Sequence, residues 1–491
     1  MKAADLKVLK KHWLFILCIF IYTAALSYKL ISFPKPFYDW DESIYVQVGK
    51  EMDVNHSATP LWQGQAWLEK PPLAPLLYGL LINYAPVTPE ITTRLLSLSL
   101  SVLALGLIYL WVLKATKNPL ISLLVSVIVA CDPTFLQRAQ TVNTDVFLLI
   151  GWLGYFLWFP RFWISLLFLF LGVFSKSLLG FYPMILMGAY EVYLYLRDHK
   201  RKPMLIQRLK LILLQAALMC VWFAVMIAFY GNQFIQVHFI DHMVRRVTSS
   251  IESHFGKRTY YLDLVYLQYG YYSFIAVIGL ALVMFRYFRK KISDELAFSV
   301  LFLLPWFIFL NLTKTKISWY IYPAIPQVAL LIAYPITFIE KRKWLTTAVV
   351  VLTGGLLIYQ TFKVQNFLGN FYSDYDQTYQ LSLFAKQNCS SMAILIDKDA
   401  RQTYNVLSSM HLTISTSTLY GNHPSIVYYA SIPVEYVYDK RQFVSKLPSY
   451  KVRTCLAIEH NDLDVNPDRS LYDLINQFDT WSIYRKTDKR A

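Results

Sequence analysis

Apolar blocks of roughly 20 residues recur along this chain of 491 residues, separated by short polar pieces. About 20 apolar residues is what one helix needs to cross a bilayer core. The blocks are continuous rather than alternating, which is the pattern of helices and not of barrel strands. The candidate spans are 13–33, 93–113, 119–132, 145–160, 162–175, 179–196, 209–230, 271–288, 296–312, 318–338 and 344–362. The expected fold class is an all-α polytopic membrane bundle of about 11 transmembrane helices with a small C-terminal α/β domain outside the membrane.

Only 16% of the residues are charged, against about 25% in a soluble domain. The net charge of +16 comes from Lys and Arg gathered at the ends of apolar blocks. That placement reads as membrane orientation rather than nucleic-acid binding. With the N-terminus in the cytoplasm, the basic pieces KVLKK, RDHKRKP, FRYFRKK and EKRK all fall on the inner side. The odd number of spans then puts the C-terminus outside, and the expected location is the plasma (cell inner) membrane. Lys2, Lys7, Lys10 and Lys11 precede the run from Trp13 to Phe33. That run is long for a signal peptide and reads as a retained anchor.

The expected organisation is a membrane domain, 1–362, with outer loops 34–92 and 231–270, and a tail domain, 363–491. In the first loop Leu73–Tyr84 is a short amphipathic helix suited to the interface. In the tail, Tyr379–Gln387 and Asp473–Gln477 suggest helices. Met392–Ile396, Ile426–Ala430, Cys455–Glu459 and a stretch near Trp481–Tyr484 suggest strands. The tail carries no catalytic motif; it packs on the outer loops or helps to shape an acceptor site. Cys389 and Cys455 can pair if the tail lies outside the cytoplasm. Cys18, Cys131 and Cys220 fall in or beside spans as packing residues, and no cysteine spacing suggests zinc.

Ionisable groups near a bilayer are costly and call for a function. Six separate places carry them, and the topology puts all six on one face. The first is Tyr38-Asp39-Trp40-Asp41-Glu42, where crowded carboxylates suit a base; Asp41 and Glu42 are the catalytic candidates. The second is Glu69-Lys70-Pro71-Pro72, with Lys70 at headgroup level for a lipid phosphate. The third runs from Arg138, able to clamp a phosphate, to Asp145, which is either a second catalytic acid or a helix cap. The fourth holds Lys176. The fifth holds Asp241, His242, Arg245 and Arg246. The sixth is Lys314-Thr315-Lys316, followed by Tyr320, Pro323 and Pro326. Cations from several loops can neutralise a departing phosphate.

These places, in this order, resemble the GT-C superfamily of glycosyltransferases. The likeness is to the protein O-mannosyltransferase-like group that includes the lipid A aminoarabinose transferase. The matching pieces are Asp41-Glu42, Glu69–Leu73, Arg138 to Asp145, Lys176 with Pro183, His242–Arg246, and Lys316 to Pro326. The resemblance implies inverting transfer of a sugar from a polyprenyl-phosphate donor to a glycolipid, protein or glycan acceptor outside the cytoplasm. It implies Asp41 as base, Asp145 as a second acid, and Lys70, Arg138, Lys316 and Tyr320 on the donor phosphate. Lys176 and Arg245 are further candidates. It also implies a divalent metal (zinc, magnesium or manganese) on Glu69 and His242. The chain departs from the family pattern at Ser43-Ile44-Tyr45 and at Ser318, where a proline is usual. The competing class is a transporter or flippase for a lipid-linked solute. Such a protein would carry midplane charges on broken helices and inverted repeats; here the charges lie at span ends and no repeat is evident.

Overall fold

The computed structural model describes residues 3–338, 377–414, 416–462, 465 and 467–487, with isolated positions between 344 and 359. Five helical stretches are long and apolar enough to cross a membrane: His12–Ser32, Pro89–Thr116, Phe162–Arg197, His199–Thr248 and Ser318–Phe338. Three bent pairs bring the number to as many as eight. They are Pro119–Ala130 with Pro133–Ala139 (73°), Tyr260–Tyr269 with Tyr272–Phe288 (114°) and Asp294–Leu301 with Leu304–Leu312 (47°). The chain is a multi-pass membrane protein. The expected span at 344–362 and the expected boundary at 362–363 lie largely outside the described residues. The expected span at 145–160 is a short apolar helix, Asp145–Trp158. The spans at 162–175 and 179–196 belong to one stretch that breaks at Ser177.

In chain order the bundle begins with α1 (Ala3–Ser32), α2 (Asp41–Val54), α3 (Leu73–Tyr84) and α4 (Pro89–Thr116). The breaks are written locally. Asn118 accepts from Leu120 N (2.9 Å) and Ile121 N (3.3 Å), with Pro119 opening α5 (Pro119–Ala130). Asp132 accepts from Thr134 N (2.8 Å) and Phe135 N (3.0 Å), with Pro133 opening α6 (Pro133–Ala139). A side-chain acceptor followed by proline is a strong helix start. After α7 (Asp145–Trp158) and α8 (Phe162–Lys176), Ser177 takes φ +57° and the chain folds back into α9 (Tyr182–Arg197). Gly180 is required there, because a Cβ on it would sit 2.2 Å from Val173 N.

Next comes α10 (Lys202–Phe234), which continues as a π-helix over Ile235–Arg245. The helices α11 (Tyr260–Tyr269), α12 (Tyr272–Phe288), α13 (Asp294–Leu301), α14 (Leu304–Leu312) and α15 (Ile325–Ala333) complete the described bundle. The outer loop 34–92 is tied together where α2 crosses α3, and a Cβ on Gly79 would lie 2.1 Å from Gly49 O.

The tail holds α16 (Gln377–Asn388), β1 (Ser391–Leu395), α17 (Lys398–Ser409), α18 (Pro424–Ala430), β2 (Val434–Val437), β3 (Thr454–Glu459), β4 (Tyr472–Gln477) and β5 (Trp481–Lys486). The strands make one mixed sheet in the order β2-β1-β3-β5-β4, parallel between β1 and its two neighbours and antiparallel beyond. Cys389 and Cys455 form a disulfide. Two expected elements are corrected. Residues 426–430 are helical, because Pro424 opens a turn whose residues are buried all round, and a short apolar run is ambiguous between strand and buried helix. Residues 473–477 form an edge strand on β5, where pairing overrides the helix-like local composition.

Candidate active site

The tail sits on the outer loop through specific bonds. Gln63 exchanges two hydrogen bonds with the Val434 backbone, at 2.9 and 2.8 Å. Asp39 accepts from His423 Nδ1 (2.7 Å) and from Ser425 N (2.9 Å). A cavity of about 770 Å³ is lined by the bundle, the outer loops and the tail together. All six polar places reach its wall, through Asp41, Glu69, Lys70, Asp145, Lys176, His242 and Tyr320 among others.

The two acids of the first place have different surroundings. Glu42 is 2% exposed, and its oxygens accept from Tyr38 N, Val142 N, and Nε and Nη2 of Arg94, at 2.7, 2.8, 3.0 and 2.7 Å. The structure places Glu42 as an anchor between α2, α4 and the turn before α7, not on the cavity wall. Asp41 is 33% exposed, and its nearest ion-pair contact is Arg138 Nη2 at 4.0 Å. It stands in the first turn of α2.

Arg138 lies behind the wall. Its Nε is 3.7 Å from Asp145, its guanidinium covers the Trp319 ring at 4.5 Å, and its Nε and Nη2 make no hydrogen bond among the described residues. Asp145 is also paired with Lys176, and Asn143, not Asp145, caps α7 by accepting from Val146 N (3.1 Å). Lys70 donates to the Tyr45 hydroxyl and lies 4.6 Å from that ring. Tyr320 accepts from Arg246 Nη1 (3.2 Å), and Arg246 also binds Glu252 (2.9 Å).

Two candidates sit elsewhere. Lys316 donates to the carbonyls of Leu310 (2.8 Å) and Asn311 (3.1 Å), satisfying the C-terminal end of α14. Arg245 pairs with Asp241 at 3.2 Å, while Arg246 faces the cavity. The π-helix explains that exchange of neighbours, since its wider turn moves side chains off the 3.6-residue period.

Glu69 Oε1 accepts from the Tyr420 hydroxyl and from Thr416 Oγ1 (2.8 Å), both in the tail. Burial raises the Glu69 carboxyl above its usual range, against those hydrogen bonds and the charge of Lys70. Its Oε2 lies 3.4 Å from His242 Nε2, a buried nitrogen with no hydrogen-bond partner among the described residues. That orphaned nitrogen beside a carboxylate oxygen fits two ligands of a divalent cation. No three His, Cys, Asp or Glu side chains gather as a metal set among the described residues.

Sequence reading missed Arg94, Tyr45, Trp319, Glu252 and every tail residue on the wall. Arg94 looks like an ordinary span-end cation, and the tail residues follow no motif.

No family model matches the chain. A protein of Aquifex aeolicus (strain VF5), described as uncharacterized, is 25% identical over 383 residues, 73% of this chain and 72% of that one. ArnT from Cupriavidus metallidurans bound to undecaprenyl phosphate superposes with a TM-score of 0.65 at 13% identity, covering 97% of this chain and 98% of that one. Its apo form gives 0.63 at 14%, covering 98% of each. The Archaeoglobus fulgidus oligosaccharyltransferase tethered to an acceptor peptide gives 0.55 at 14%, over 87% of this chain and 64% of that one. At these identities the likeness shows the fold: a membrane bundle with a small C-terminal sheet domain, the GT-C fold.

Proposed function

We propose that the chain is an integral membrane glycosyltransferase that moves a sugar from a polyprenyl-phosphate donor to an acceptor hydroxyl on the outer face of the plasma membrane. The observation that carries this reading is the cavity itself, where the partly exposed Asp41 shares one wall with Lys70, Lys176 and Arg246. The likeness to ArnT, whose solved structure holds undecaprenyl phosphate, supports the donor class.

In the proposed reaction Asp41 takes the proton of the acceptor hydroxyl, and that oxygen bonds to the anomeric carbon. The bond from carbon to phosphate oxygen breaks, and polyprenyl phosphate leaves with the electron pair and inverted product behind it. Lys70, Lys176 and Arg246 neutralise the charge growing on the leaving phosphate. Tyr320 and Tyr45 hold two of those cations in place. Arg138, 4.0 Å from Asp41 and 3.7 Å from Asp145, helps to position both carboxylates. Glu69 and His242 would hold a divalent cation, which would supply Lewis-acid chemistry there.

Asp41→Asn tests the reading in membranes given a synthetic polyprenyl-phosphate sugar. Transfer is expected to fall by about 10²–10⁴. A variant that expresses normally and transfers at the native rate refutes Asp41 as the base. A transporter would instead move the intact lipid without cleaving the sugar bond.

A further inference from the structure

The cavity wall is built from two chemically different sets of residues. The bundle side brings Lys70, Lys176 and Arg246 to the wall, whereas the described residues of the tail bring no Lys or Arg to it. The tail contributes one face of α17, with Asp399, Thr403 and Leu407 at spacings of four residues, and beside them Tyr404. Asn422 and Tyr438 continue the same wall. The opposite face of α17 is fixed, because Arg401 binds Asp462 at 2.7 and 2.9 Å and the Ile396 carbonyl at 2.8 Å. The wall is therefore presented rigidly. The rings of Tyr404 and Tyr438 stand 4.5 Å apart at 39°, forming an aromatic platform. The side chains of Asp399, Thr403 and Asn422 make no hydrogen bond among the described residues, so their donors and acceptors are available to a ligand.

We infer that this face of the tail, Asp399, Thr403, Tyr404, Asn422 and Tyr438, is the acceptor site, and that it takes a neutral, hydroxyl-rich carbohydrate head group rather than a phosphorylated one. The inference rests on the transferase reading. Aromatic faces pack on the C–H faces of a sugar, and carboxylate, amide and hydroxyl groups bond to its hydroxyls. A phosphate on the acceptor would meet Asp399 and, among the described tail residues on the wall, no cation to balance it, whereas the donor phosphate has Lys70, Lys176 and Arg246 on the bundle side. The His423–Asp39 contact ties the segment that carries Asn422 to the turn before Asp41, and Asp41 lines the same cavity as this face, so a bound hydroxyl shares that space with the proposed base.

Saturation-transfer NMR on the full chain in lipid nanodiscs tests this with two probes, methyl maltoside and its 6-phosphate. The neutral probe is expected to receive saturation and the phosphate ester little. Tyr404→Ala and Asp399→Asn are expected to weaken the neutral probe's binding roughly 3–10-fold each, the value of one lost contact. Asp399→Lys is expected to shift preference toward the phosphate ester, a gain that misfolding cannot produce. Saturation of neither probe, equal saturation of both, or a neutral signal untouched by the wall variants overturns the inference. Asp41→Asn separates it from the transferase reading. That variant keeps the glycan signal whether or not transfer is lost. Retained transfer with intact wall-dependent glycan binding sinks the proposed chemistry and leaves the binding site standing.

Discussion

The adjacent acids Asp41 and Glu42 are expected to answer the same substitution in opposite ways. Glu42→Gln keeps the side chain's shape but removes a buried charge that accepts four hydrogen bonds. It also turns an amide N–H toward donors and strips the counter-charge from Arg94, which is itself 2% exposed. Arg94 still donates to the carbonyls of Lys35 (2.7 Å) and Pro36 (2.9 Å), but neither carries a charge. Breaking one side of a buried ion pair costs about 3–5 kcal/mol, a factor of roughly 10²–10⁴ in the folding equilibrium. Asp41→Asn removes a partly exposed charge whose nearest ion-pair contact is 4.0 Å away, a change worth about 0–1 kcal/mol in stability. The assay is thermal unfolding in detergent, followed by tryptophan fluorescence, run beside sugar transfer. Glu42→Gln should unfold several degrees lower while the surviving folded protein still turns over. Asp41→Asn should unfold near the native midpoint with transfer abolished. A Glu42→Gln protein as stable as the native chain yet inactive would move the chemistry to Glu42 and refute the argument.

Three further outcomes follow from contacts elsewhere. Gly79→Ala should cost about 1–3 kcal/mol or more, since its Cβ would meet Gly49 O at 2.1 Å, and a lowered unfolding midpoint with slower transfer checks it. Cys389→Ser opens a link between residues 66 apart and should destabilise the tail by about 4 kcal/mol, read as faster proteolysis of the tail with the bundle intact. Burial beside Asp397 pushes the Glu459 carboxyl from 4.5 up to about 7. A raised acid favours folding while protonated, so its contribution is full below about 4.5 and lost as pH rises through about 7. Glu459→Gln should therefore stabilise the protein at pH 8 by about 1 kcal/mol, discounted for its partial exposure, and leave it unchanged at pH 4, as pH-dependent melting would show.

The sequence made the membrane class legible because hydrocarbon thickness imposes one length on every span. It made the convergence of six polar places legible because topology alone puts span ends on a shared face. The helix Leu73–Tyr84 came out with its bounds intact, because prolines and an apolar stripe define it locally. What escaped was whatever depends on tertiary partners. The pairing of Glu42 with Arg94 joins residues 52 apart, and neither carries a local mark of it. The choice of Arg246 over Arg245 hangs on π-helical winding that apolar periodicity does not encode. Lys316 reads as a phosphate ligand until the end of α14 is seen to need its ammonium. Residues 426–430 and 473–477 changed type for the same reason, one by burial on all sides and the other by pairing with β5.

The case for Asp41 as the base is strengthened by what the other acids are doing. Asp39 is spent on seating the tail through His423 and Ser425. Glu42 is spent on Arg94, Asp145 on Lys176 and Arg138, and Glu252 on Arg246. Glu69 gives one oxygen to Tyr420 and Thr416 and turns the other toward His242. A base must reach an incoming hydroxyl with an oxygen that no closer cation holds. Among the carboxylates that the bundle and its outer loops bring to the cavity, Asp41 meets that demand. Its closest ion-pair contact, Arg138 at 4.0 Å, is the longest of the set, and a third of its side chain stays exposed.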